Sequence, residues 1–66
     1  MGKHEEALVQ YQKALEVFLA VHGLEHPSVA ASCHNIGEVY RGKGDLENAL
    51  LQYQRALEVF LAVYGT

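Results

Sequence analysis

The sequence has no tryptophan, one cysteine, one proline and only five cationic side chains in 66 residues. Cys33 has no second cysteine to pair with, so there is no internal disulfide framework, and a lone thiol suits a reducing compartment. The cations Lys3, Lys13, Arg41, Lys43 and Arg55 are scattered along a chain of net charge −3, so no basic stripe speaks for nucleic acid. No uninterrupted apolar run approaches the roughly 20 residues of a membrane span, and no signal peptide opens the chain. The expectation is a cytoplasmic, intracellular protein that engages neither nucleic acid nor membrane. What is present is ordinary for a globular chain: 50% of residues are apolar and 20% charged. A chain of this length buries only about 60% of its unfolded surface, so a lone core is marginal.

The informative feature is repetition. From Gly2 the chain reads GKHEEALVQYQKALEVFLAVHG, and from Gly44 it reads GDLENALLQYQRALEVFLAVYG, at a constant offset of 42 residues with 16 of 22 positions identical. Self-similarity at a fixed period of about 20–50 residues marks a repeat array. The chain holds one full period and the back half of a preceding one. It reads as a piece cut from a longer array, with Met1 as an added start and Gly65-Thr66 ending where the first copy continues Gly23-Leu24-Glu25-His26-Pro27.

Three helices are predicted. The first, about Glu5 to Val21, places Ala7, Leu8, Tyr11, Ala14, Leu15, Phe18 and Leu19 on one face at steps of three and four. Glu5 and Glu6 favour its first turn and Gly23 stops it. The second starts at Pro27, whose fixed φ suits a first helical position. It ends near Arg41, with Gly42 and Gly44 as breakers. The third, about Leu46 to Tyr64, repeats the first, with Asp45 as N-cap and Gly65 as terminator. In the shared stretch ALEVFLAV only Glu16, or Glu58 in the copy, is polar. A helix apolar nearly all round needs cover on more than one side, as in a solenoid whose units are covered by their neighbours.

The stretch Asn35 to Leu57, NIGEVYRGKGDLENALLQYQRAL, resembles a tetratricopeptide repeat. The matching positions are Ile36, Gly37 and Tyr40 on the first helix of the unit, then Gly44, Ala49, Tyr53 and Ala56. Gly37 and the alanines are small where helices approach closely, and the tyrosines fill the space beside them. The chain departs from the 34-residue pattern twice: Cys33 stands where a large aromatic is usual, and Leu61 stands where a proline is usual. Without that proline the second helix runs on to Gly65, which lengthens the period to 42 residues. That version, with Gly23, His26-Pro27 and Val29-Ala30 between units, resembles the repeats of kinesin light chains.

The resemblance implies an all-α, helix–turn–helix solenoid fragment of three antiparallel helices, about one and a half repeats. Residues 1–23 would be the second helix of a preceding repeat. Residues 24–66 would be one complete repeat, with its first helix about 27–41 and its second about 45–64. It further implies a superhelix whose concave face, lined by first helices, holds peptide segments of other proteins. Carried onto this chain, the groove residues are Ala31, His34, Asn35, Glu38 and Arg41, and the inter-repeat packing residues are Ile36, Gly37, Tyr40, Ala49, Tyr53, Ala56 and Phe60. Asn35 either hydrogen-bonds a ligand backbone, having both donor and acceptor, or bonds a neighbouring helix. His34, Glu38 and Arg41 either line the groove or form a plain solvated face.

No chemistry beyond binding is expected, and no cofactor. His22 and His26 are four apart, but Gly23 and Pro27 interrupt the helix between them, and Cys33 and His34 point to different faces, so no zinc-ligand set forms. His26 belongs at the start of the second helix or in the inter-repeat turn. Cys33 belongs at a helix–helix contact as a small hydrophobe. The loop RGKGD, Arg41 to Asp45, lacks a phosphate-binding pattern and a preceding strand, and reads as a C-cap followed by an N-cap. Glu5 and Glu6 diverge on a helix and have no pocket to work in. The tyrosines, Tyr11 and Tyr53 at one repeat position and Tyr40 on the packing face, read as core. With no enzymatic reading left, two functions remain: a protein-interaction scaffold acting through its concave face, and a self-associating building block. For the latter, copies would stack head to tail or exchange helices about a hinge at Gly23 to His26.

Overall fold

The computed structural model describes residues 2–65. It comprises three α-helices and no strand among the described residues: α1 (Lys3–His22), α2 (Pro27–Lys43) and α3 (Leu46–Tyr64). α1 packs on α2 and α2 on α3, while the backbones of α1 and α3 stay apart. The array measures 38 × 23 × 11 Å, with a radius of gyration of 11.8 Å. About 11 Å is expected for a compact chain of this length, so the three helices form a thin, slightly extended slab with α2 between its neighbours.

The helix boundaries follow from local chemistry. His26 caps α2, its Nδ1 accepting the Ser28 amide proton at 3.1 Å, and Pro27 follows at the first helical position. The His26 ring also stacks on His22 at 3.9 Å between centroids, 11° from parallel. The chain reversal through Gly23 thus brings together two histidines that no helical face would unite. At the other end α2 runs two residues past Arg41, to Lys43. Gly42 stays helical, and Gly44 takes the left-handed conformation at φ 85°. The Gly44 N–H then bonds the Arg41 carbonyl at 3.0 Å and the Asp45 N–H bonds the Tyr40 carbonyl at 2.9 Å. These two bonds satisfy the helix-end carbonyls in a Schellman motif, which requires one left-handed residue and leaves Gly42 inside the helix. Asp45 then caps α3, its Oδ1 accepting from the Asn48 amide at 3.3 Å and its Oδ2 from the Asn48 side chain at 2.7 Å. Those bonds hold its carboxyl below the usual carboxylate range. RGKGD is therefore a C-cap joined to an N-cap.

One core cluster lies where all three helices meet. Val29 and Cys33 of α2 and Val59 of α3 are buried, with Leu15 and Phe18 of α1 packed against them. Burial raises the Cys33 thiol pKa, with Arg55 opposing weakly, so the sulfur stays a protonated, inert hydrophobe. Further along, Ile36, Gly37 and Ala49 are buried where α2 crosses α3. A Cβ placed on Gly37 would lie 2.8 Å from Tyr53 Cε1 and 3.3 Å from the Ala49 carbonyl oxygen. Ser32, also buried, donates its hydroxyl proton to the Ser28 carbonyl at 2.9 Å. An ion pair missed in the sequence, Lys43 Nζ to Glu5 Oε1 at 2.7 Å, ties the end of α2 to the start of α1.

The cover expected for ALEVFLAV is incomplete within this chain. Val17, Val21, Leu57 and Phe60 are all at least half exposed. The tyrosines divide likewise: Tyr40 and Tyr53 are half-buried, whereas Tyr11 and Tyr64 are exposed and are not core. Tyr11 repeats Tyr53, but only Tyr53 has a helix of α2's kind against its ring.

Candidate functional site

Helical geometry puts Ala31, His34, Asn35, Glu38 and Arg41 on one side of α2, since steps of three and four residues share a face. Ala31, His34, Asn35 and Arg41 are exposed and Glu38 is half-buried. The opposite side carries Cys33, Ile36 and Gly37, all buried.

Glu38 organises the face. Its Oε1 accepts from Arg41 Nη2 at 2.6 Å, and its Oε2 accepts from the Tyr53 hydroxyl. His34 Nε2 lies 4.0 Å from the same Oε2, and the His34 ring sits 5.5 Å from the Tyr53 ring. The Arg41 guanidinium, then the Tyr53 hydroxyl, pull the Glu38 pKa down. The same hydrogen bonds push Arg41 and Tyr53 up. Glu38 and Arg41 are therefore a closed ion pair at neutral pH, and the face carries little net charge. An exposed pair of this kind adds little stability, so its consequence is positional: it pins the Tyr53 ring over Gly37. Asn35 forms no side-chain hydrogen bond among the described residues. Its amide has donor and acceptor free on the solvent side.

Tyr53 was expected only as a packing residue, and its bond to Glu38 was not foreseen. A tyrosine at a packing position is a signal for such a bond, because a half-buried hydroxyl takes a partner. Which carboxylate it meets depends on the α2–α3 crossing. Of the other expected packing residues, Ile36, Gly37 and Ala49 are buried, and Tyr40 and Ala56 are half-buried. Phe60 is 50% exposed and lies against Tyr64, 4.8 Å between ring centroids.

Two apolar recesses flank the slab. One, of about 340 Å³, opens between α1 and α3 over Val29 and Cys33, with Arg55 and Glu58 at its rim. The other opens on the far side of α3, where Ala31 and His34 of α2 meet Tyr53, Ala56, Leu57 and Phe60. Two expected groove residues and three expected packing residues thus share one cavity, while Asn35, Glu38 and Arg41 are outside it. No group of metal-ligating side chains occurs among the described residues, and no helix is long and apolar enough to cross a membrane.

A family model described as tetratricopeptide repeat matches residues 1–62. No significant match is found among curated proteins or among solved structures.

Proposed function

Because the chain belongs to the tetratricopeptide repeat family, a non-catalytic scaffold family that generally mediates protein–protein interaction, we propose that α2 offers a peptide-binding face. Ala31, His34, Asn35, Glu38 and Arg41 form that face, on the concave side of a superhelix of stacked repeats. The observation that carries this reading is the uncommitted Asn35 amide beside a Glu38–Arg41 pair that is already closed. A neutral, two-way hydrogen-bonding side chain suits the backbone of an extended peptide, whose N–H and C=O groups alternate. The closed ion pair supplies flat, polar flanks and no net charge to be matched. A single first helix is a short groove, so binding by one chain is weak and a longer array gains by adding contacts along its repeats. The protein acts in the cytoplasm, catalyses no reaction and needs no cofactor.

The test is selection of peptides from a random display library on the immobilised chain, followed by titration of the selected peptides. Asn35→Ala is expected to weaken them about tenfold or more, with helicity unchanged because the residue is exposed. Selected peptides that bind the Asn35→Ala chain as well as the parent chain would contradict this reading.

A further inference from the structure

α1 and α3 carry the same residues at 16 of 22 positions, yet α2 covers different, partly overlapping sides of them. Leu8 of α1 is buried, and Leu15 and Phe18 are half-buried. Their counterparts on α3, Leu50, Leu57 and Phe60, are 57%, 57% and 50% exposed. The chain thus shows within itself that this stripe is one a helix covers, and that on α3 it is open.

On α3 the open stripe is also longer. Leu46, Leu50, Tyr53, Leu57, Phe60 and Tyr64 follow in alternating steps of four and three, the spacing of a helix–helix seam. Tyr53, half-buried against Gly37 of α2, borders the open part and shares a recess with Leu57, Phe60 and Tyr64. The two end positions are histidines in α1, His4 and His22, and become Leu46 and Tyr64 in α3. Two of the six differences between the copies therefore extend the apolar seam on the helix whose seam is uncovered. At 1.5 Å per residue the seam is about 27 Å long, so its occupant is a helix of similar length.

The order of residue sizes selects that occupant. Turning a second α3 end for end sets 46 opposite 64, 50 opposite 60, and 53 opposite 57. Every layer then pairs a leucine with an aromatic: Leu46 with Tyr64, Leu50 with Phe60, Leu57 with Tyr53. A parallel pairing would instead set leucine on leucine and aromatic on aromatic, alternating thin and thick layers against the even density of a packed interior. The antiparallel pairing also opposes the helix macrodipoles. On the flank away from α2, Glu47 then meets Leu61 and Gln54 meets its own copy, so no like charges face each other there. A patch complementary to itself under a two-fold rotation meets the requirement of an isologous interface.

We infer that the α3 seam is the interface of an antiparallel two-fold homodimer, its occupant being α3 of a second copy of this chain. The contact is closed, so assembly stops at two chains. It needs no exchange of helices about Gly23, and it differs from head-to-tail stacking, which has no end point.

The test is sedimentation equilibrium over a concentration series, with a cross-linking experiment for orientation. The mass rises from one chain to two and stays there. Leu57→Glu puts a carboxylate in the central layers and raises the midpoint concentration roughly 100-fold or more, while circular dichroism of the monomer stays helical. Leu50→Glu serves the same purpose should Leu57→Glu lose helicity. A Leu46→Cys chain mixed with a Tyr64→Cys chain gives a disulfide-linked dimer, and neither chain does so alone. A monomer at every concentration, a mass that keeps growing past two chains, or cross-linking of each variant with itself would overturn the inference.

Discussion

Gly37→Ala is expected to destabilise the chain by about 2 kcal/mol, although alanine is the better helix former. The helix-propensity gain is at most about 1 kcal/mol. Against it stands overpacking, which costs about 1–3 kcal/mol in a well-packed core. Here the upper end applies, because the added methyl would lie 2.8 and 2.9 Å from two carbons of the Tyr53 ring and 3.3 Å from the Ala49 carbonyl oxygen. Neither neighbour gives way easily. The ring is held at its hydroxyl by Glu38, and the carbonyl is helix backbone. For a chain this short, about 2 kcal/mol lowers the melting temperature by roughly 10 °C. Gly42→Ala is the internal control. Its Cβ would meet only the tip of His4, 3.1 Å away, and that side chain is exposed and free to move. Propensity wins there, and the midpoint rises by a few degrees. Thermal melts of the two variants that shift equally would show that the α2–α3 crossing is not as close as Gly37 implies.

Four alanine variants at repeat-equivalent positions are expected to split in opposite directions. Leu8 is 9% exposed and its counterpart Leu50 is 57% exposed; Val59 is 7% exposed and its counterpart Val17 is 57% exposed. Leu8→Ala should cost about 2–5 kcal/mol, the range for leucines cut from a core. Leu50→Ala should cost under about 0.5 kcal/mol in the monomer, as exposed substitutions do. Val59→Ala should cost about 1.5–3 kcal/mol for the lost burial, and Val17→Ala little. Urea midpoints at concentrations low enough to keep single chains would measure all four. Equal costs within either pair would mean that α2 does not cover the helices asymmetrically.

That asymmetry marks where legibility in the sequence ended. The third helix was readable end to end, because Asp45 and Gly65 bracket it and the first copy supplies its pattern. The end of α2 was not, since two glycines competed for one role. Position decided it: only Gly44, followed by Asp45, sets two N–H groups where the Arg41 and Tyr40 carbonyls need them. Burial of Cys33 was readable from the repeat resemblance, which sets it at a helix–helix contact where a large aromatic is usual. The opposite fates of Tyr11 and Tyr53 were not, because identical letters report what a residue can pack against and say nothing of whether that neighbour is there. The face with Asn35 and Glu38 was readable as a face, whereas the Tyr53 bond that organises it joins residues 15 apart on different helices. The stacking of His22 on His26 likewise depends on the path of the chain through Gly23, which spacing alone does not give.

All of these features rest on α2 being the helix on which the other two lean. Native-state hydrogen exchange, resolved by residue and carried out on dilute protein, tests this most directly. Amides in the middle of α2, from Val29 to Tyr40, should exchange slowest, opening only with the whole chain. Those of α3 should follow, and those of α1, held mainly by α2 and over less surface, should exchange fastest through local detachment. Amides of α1 that exchange as slowly as those of α2 would contradict the arrangement.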